Sequence, residues 1–401
     1  MPHSISRHSQ NDKNSPLPSV PAFPPHSSNA LTLLQRKIES NAMTPLPNDS
    51  SKKLQSLAIP LLLSGIGILG IVFGIIRFLD RTGRIDSQAL ENHLPRQQRT
   101  DYRHIPPHLI TYQSTTLFRF YLDSGQPTCF AVQNDSTFII GTAEPPTLLF
   151  LDENGMRRRK IELPEEPRAI AVGTSETIFS DKTVVAHHQH IAVYNAEGAQ
   201  VSSLKLNDEQ SDIRSLVLTP KYLFAADTGT RSIYRFDADG TFHEQFGFNF
   251  VVYASPITMT YSSQTDLLYI ANPGKHRVEV FTQDGTYRPE LSWGEASASL
   301  TGFAGCCNPI GLAVLDDGRI LTIEKGVSRI KIFKQDGSLD SIVAGPNTLD
   351  IILTASGLLH PLKPEQRHFA AAVLSDGRIA VFDFENKMVR LFAPIDGAKR
   401  Q

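Results

Sequence analysis

Six segments of the chain end alike, in an alternating apolar run followed within a few residues by an acidic or amide residue and a glycine. They are Leu148–Gly155, Ile191–Gly198, Ile233–Gly240, Val278–Gly285, Ile330–Gly337 and Val389–Gly397. The closing glycines advance by 43, 42, 45, 52 and 60 residues. A period in the forties with period-2 apolar alternation predicts four-stranded blades stacked in a ring. Upstream in each period lies a short apolar strand, often led by proline, as in Pro127-Thr-Cys-Phe-Ala-Val, Pro167-Arg-Ala-Ile-Ala-Val and Pro309-Ile-Gly-Leu-Ala-Val. Small residues alternating with β-branched ones suit an innermost strand crowded around a channel, and a proline at a strand's first position removes no ladder bond. Each unit therefore reads as inner strand, second strand, polar loop, third strand, glycine turn and outer strand. The expected fold class is all-β, a six-bladed β-propeller.

At Ala226-Asp227-Thr-Gly-Thr-Arg231-Ser-Ile and Ala271-Asn272-Pro-Gly-Lys-His-Arg277-Val the chain resembles the NHL-repeat family of propellers. The shared pattern is an acidic or amide residue, a short loop and an arginine before a β-branched residue. The resemblance spans residues 113–397 and implies the fold. It implies little about activity, because the same scaffold carries hydrolases, lyases, scaffolds and RNA binders. Two units depart from the pattern, Ala186-His-His-Gln-His-Ile191 and Phe382-Asp-Phe-Glu-Asn-Lys-Met-Val389.

After Gly397 only Ala398-Lys-Arg-Gln remains, too little for an outer strand. The alternating run Thr116-Leu-Phe-Arg-Phe-Tyr-Leu122 is unassigned, and it is expected to complete the sixth blade, removing the edges of an open ring. The alternative is an extra strand on the outside of the first blade.

Residues 1–52, rich in Ser, Pro, Asn and His, are expected to be a disordered tail, since such a composition buries too little apolar surface to offset chain entropy. Leu57–Ile76 is a charge-free stretch of 20 residues between Lys53 and Arg77. As a helix it spans about 30 Å of hydrocarbon, which predicts a retained single-pass transmembrane anchor over residues 54–79. Residues 80–112 then form a stalk. Lys52 and Lys53 favour an inside N-terminus, Arg77, Arg81 and Arg84 nearly balance them, and a propeller displayed in the periplasm or outside is expected. The net charge of −2 implies no long-range attraction to polyphosphate, and no nucleic acid is expected as a partner. The one dense basic run in the propeller, Arg157-Arg-Arg-Lys160, belongs to an outer strand and reads as a solvated face.

Chemistry is sought on the face where the connections between blades and the loops between second and third strands open together. In blade five these loops carry Gly305-Cys306-Cys307-Asn308-Pro309 and Glu324-Lys325-Gly326 with Arg329. Adjacent cysteines form a vicinal disulfide or offer two thiolates to a soft metal, and Lys325 and Arg329 would favour the thiolate. The competing reading has one cysteine packed as a small hydrophobe and Glu324–Arg329 as a structural ion pair under the loop. Cys129, inside the first inner strand, reads as core. His187, His188 and His190 offer imidazoles for zinc or copper, or simply a solvated loop.

The function these residues favour is a membrane-tethered binding or scaffold propeller. Its ligand face would present Cys306, Cys307, Asn308, Glu324, Lys325, Arg329, Asp227, Arg231, Asn272 and Arg277 to a protein or small-molecule ligand, for an envelope redox or metal-handling complex. The alternative is a metal-dependent hydrolase or lyase of the gluconolactonase or NHL-lyase type, using calcium or zinc, although no set of three obvious ligands recurs at the inner strand ends. No nucleophile-elbow motif appears.

Overall fold

The computed structural model describes residues 104–120, 125–206, 208–253, 255–353, 359–361 and 368–395. The tail of residues 1–52, the anchor of residues 54–79 and most of the stalk lie outside these residues. Among the described residues no helix is long and apolar enough to cross a membrane.

Six antiparallel sheets follow one another along the chain. Blade one is β2 (Pro127–Val132), β3 (Phe138–Thr142), β4 (Thr147–Leu151) and β5 (Arg157–Glu162), counted after an N-terminal strand β1 (Tyr112–Arg119). Blade two is β6 (Ala169–Val172) through β9 (Gln200–Lys205), and blade three is β10 (Ile213–Leu218) through β13 (Phe242–Phe246). Blade four has three strands, β14 (Met259–Ser262), β15 (Leu267–Asn272) and β16 (Arg277–Thr282). Blade five is β17 (Gly311–Val314) through β20 (Leu339–Ala344). A short hairpin, β21 (Ile351–Leu353) with β22 (Leu359–Pro361), precedes blade six, whose own strands are β23 (Phe369–Val373), β24 (Ile379–Asp383) and β25 (Met388–Pro394).

The sixth blade is completed by β1, which pairs antiparallel with β25 from Tyr112↔Pro394 to Arg119↔Met388. The ring is thus closed by the strand the alternating run at 116–122 indicates, beginning four residues earlier. Just before β1, a 3₁₀ turn at Pro107–Leu109 leads into a parallel bridge between Ile110 and Ile342, which ties this segment to blade five. Blade four departs from the expected four strands. Its outer position is taken by residues around Tyr287 and Trp293, which bridge to Phe281 and Val278 on either side of a 3₁₀ turn at Pro289–Leu291. Pro289 has no N–H for a ladder, so the strand breaks there.

Burial follows strand position. Second and third strands such as β3, β4, β18 (Ile320–Glu324) and β19 (Arg329–Phe333) are buried at every residue, while the outer strand β5 with its basic run is largely exposed. The core is divided into six apolar clusters, one in each gap between neighbouring blades. Ile139, Phe150, Ile170 and Val185 join blades one and two, and Phe138, Leu149, Phe382 and Leu391 join blades one and six. Cys129 belongs to the first of these, as its strand position implies, and burial pushes its thiol up to about 12.

In every blade the second-to-third-strand loop has one length. The residues closing it are Thr142↔Thr147, Ala186↔Ile191, Asp227↔Ser232, Asn272↔Arg277, Glu324↔Arg329 and Asp383↔Met388. The two units with divergent sequence keep it. The common register also separates Arg231 from Arg277: Arg231 is in the left-handed turn position, φ 59°, which His276 fills in blade four, whereas Arg277 starts a strand.

Candidate functional site

The residue that ends the second strand clips two loops together. Asp227 Oδ1 accepts N–H bonds from Asp212 at 2.7 Å and Gly229 at 2.8 Å, Asn272 Oδ1 accepts from Val251 at 3.0 Å, and Glu324 Oε1 accepts from Ala304 at 2.8 Å. All three side chains are fully buried. A carboxylate or amide suits this position because it satisfies loop N–H groups that would otherwise be buried without partners. Asp227, Asn272 and Glu324 therefore brace the loops from beneath the face.

Glu324 also anchors a charge cluster. Arg329 Nε and Nη2 donate to its two oxygens at 2.8 and 3.1 Å, and Lys331 Nζ lies 3.1 Å from Oε2. Lys331 donates as well to the carbonyls of Leu300 at 3.1 Å and Gly302 at 2.5 Å, and lies over the Phe303 ring. These contacts hold the long connection from blade four, residues 294–310, onto blade five. Glu324 and Arg329 thus form an ion pair under the loop, and both are buried.

Above this support the cysteine loop is clamped at both ends. Asn308 donates from Nδ2 to the carbonyls of Ala304 at 2.6 Å and Lys325 at 3.0 Å and accepts the Lys325 N–H at 2.9 Å, and it too is buried. The Cys307 carbonyl accepts the Ser255 hydroxyl at 3.0 Å. Gly305 and Cys307 both take left-handed backbone, φ 71° and 65°, which turns the two thiols to one side. Cys306 is exposed, Cys307 is buried beneath it, and their sulfurs are 2.8 Å apart. The contact with Cys307 and partial burial raise the Cys306 thiol above its ordinary range, while Lys325 only partly offsets them.

Of the sequence-derived face, Cys306, Arg231, Lys325 and Arg277 keep some exposure, and Cys307 is buried. Arg277 donates from Nη2 to the Ser292 carbonyl at 3.2 Å, which ties it to blade four's irregular edge. In blade two the hairpin brings His187 and His190 together, leaves His188 exposed and apart, and adds a residue the sequence did not single out, Glu165. Burial, followed by the nearby His190, lowers the His187 imidazole below its ordinary value. The only local sequence signal for Glu165 is its place beside Glu166 before the proline that leads β6.

No family model and no curated protein matches the chain by sequence. Its structure is similar to virginiamycin B lyase from Staphylococcus aureus, with a TM-score of 0.51 and 12% identity over 71% of this chain and 100% of that one. It is similar also to a streptogramin B lyase, with a TM-score of 0.50 and 13% identity over 72% of this chain and 100% of that one. The likeness is one of fold.

Proposed function

We propose that the chain is a membrane-tethered, NHL-type binding propeller whose ligand face carries a two-thiol pocket at Cys306 and Cys307. The observation that carries this reading is an exposed thiol 2.8 Å above a buried one, on a loop fixed from both sides by Asn308 and Ser255. Sulfurs this close suit closure to a disulfide, at about 2.05 Å, and would have to part by about an ångström to share a tetrahedral soft metal ion. Closure would release two protons and two electrons, which a partner protein's disulfide takes up in becoming two thiols. The raised Cys306 thiol slows attack at neutral pH, which favours a binding pocket over a fast exchange catalyst. The charge-free stretch Leu57–Ile76 supports the tether, and the blade-four motif Asn272 to Arg277 supports the NHL relationship.

The test is intact mass and elemental analysis of the full-length chain recovered from the membrane fraction, with and without reductant. A reducible two-dalton loss at Cys306 and Cys307, or a bound soft metal, is expected, together with a partner that is lost on Cys306→Ser with Cys307→Ser. Two free, metal-free thiols that react with nothing would leave a scaffold without a pocket. Recovery in the soluble fraction would remove the tether.

The shared architecture with two lyases favours a second reading, a metal-dependent lyase or hydrolase on the same face. Activity that depends on an added divalent ion and survives the double serine substitution would favour it over the first.

A further inference from the structure

Glu165 lies in the connection that enters blade two, and His187 and His190 lie in the hairpin of that blade. Each offers one metal-capable atom, and the three atoms all fall within 4.8 Å of one another. The two imidazoles stack with centroids 4.4 Å apart, and His190 Nδ1 is 3.8 Å from Glu165 Oε2.

His187 is the telling member. Its side chain is fully buried, and its Nδ1 meets the carbonyl oxygen of Glu166 at 3.1 Å. A carbonyl only accepts, so Nδ1 carries the proton and the lone pair is left on Nε2. That Nε2 is buried and has no hydrogen-bond partner among the described residues. Buried polar atoms are ordinarily satisfied. One ring nitrogen held by a backbone carbonyl and the other left bare is the arrangement that orients a metal-ligating histidine.

We propose that Glu165, His187 and His190 bind one divalent ion of the zinc class, with the fourth position open to water or to a ligand atom. Two imidazoles and one carboxylate suit zinc and its neighbours and disfavour calcium or magnesium, which take oxygen donors. Tetrahedral bonds of about 2.0–2.2 Å place ligand atoms about 3.4 Å apart, so the cluster closes by about an ångström on binding. His187 is held in the core, while Glu165 is exposed and His190 half-buried, so the closing movement falls to those two. The site is independent of the thiol pocket, which belongs to the blade three steps round the ring. His188 is exposed, adjacent in sequence and outside the cluster, which makes it the internal control.

The experiment titrates Zn²⁺ into the full-length, reduced, metal-stripped chain against a chromogenic chelator, and repeats the titration with Co²⁺ while recording its visible absorption. One equivalent bound at micromolar affinity or tighter is expected, with a Co²⁺ band typical of four-coordinate nitrogen and oxygen ligation. Glu165→Gln and His190→Ala, both at accessible positions, should each weaken binding about tenfold or more. His188→Ala and the double substitution Cys306→Ser, Cys307→Ser should bind as the unmodified chain does. Absence of zinc binding, binding that survives His190→Ala, or binding lost in the double serine variant would each overturn the assignment, the last by moving the metal to the thiols.

Discussion

At the scale of single residues, Lys331 shows where sequence reasoning stops. In Ile330-Lys331-Ile332 it reads as the outward polar member of an alternating strand, yet it is fully buried because the connection 294–310 folds across it. Alternation reports which face a side chain takes, and says nothing of a loop that later covers that face. Burial pulls the Lys331 ammonium down to about 8 from its ordinary 10.5, against the upward pull of Glu324. Below about pH 8 both folded and unfolded chains carry the proton, and the fold bears the whole desolvation cost. Between about pH 8 and 10.5 the unfolded chain holds a proton that the folded one has shed, so stability rises with pH across that window. Urea denaturation of the parent and Lys331→Met at a series of pH values should therefore show the parent gaining on the variant, by on the order of 3 kcal/mol at most. A flat difference would mean that Glu324 and the carbonyls of Leu300 and Gly302 keep the ammonium charged throughout.

At the scale of the blade, the glycine turns were legible because they do two things that only glycine permits together. Gly155, Gly198, Gly240, Gly285 and Gly337 all have φ between 78° and 87°. Each also faces the outer strand or edge of the preceding blade, against Phe118, Ile161, Leu204, Phe246 and Trp293 in turn. The sequence exposes the turn but not this contact, since the partner residue belongs to another repeat. The two contributions separate in a pair of substitutions. Gly377 has φ 80° and a Cβ there would meet nothing within 4 Å among the described residues, whereas a Cβ at Gly337, φ 81°, would overlap the Trp293 ring. Gly377→Ala should cost about 1 kcal/mol from backbone strain alone. Gly337→Ala should cost about 1–3 kcal/mol more, because the indole must shift within a packed cluster. Equal losses in chemical denaturation would show that the inter-blade contact yields freely. Blade four was the least legible element: its irregular edge depends on Pro289 and on Trp293 packing against Phe333 of blade five, at 4.6 Å between rings, a contact between repeats.

At the scale of the whole molecule, stability is shared among six inter-blade clusters, so no blade has a core of its own and the ring holds only if it closes. Closure depends on β1, whose register to β25 is the longest-range strand pairing among the described residues. Around it Phe118 packs against Phe138 of blade one at 5.6 Å and Phe120 against Phe382 of blade six at 5.6 Å. A strand that bonds blade six and packs Phe118 against blade one joins the two ends of the ring at once. Removing it leaves the apolar strand Met388–Pro394 as an open edge, a template for pairing with another chain. Each lost Phe burial is worth about 1.5–3 kcal/mol, and the ladder bonds add about 1 kcal/mol each. A propeller beginning at residue 125 should therefore melt more than 10 °C below one beginning at residue 104, since a single kcal/mol already shifts a domain of this size by about 2 °C or more. It should also form concentration-dependent oligomers in sedimentation. Equal melting temperatures with both forms monomeric would mean that the ring is held by the inter-blade clusters alone, and β1 would then be an ornament on blade six, with the closure of the fold lying in the packing of Phe138, Leu149, Phe382 and Leu391.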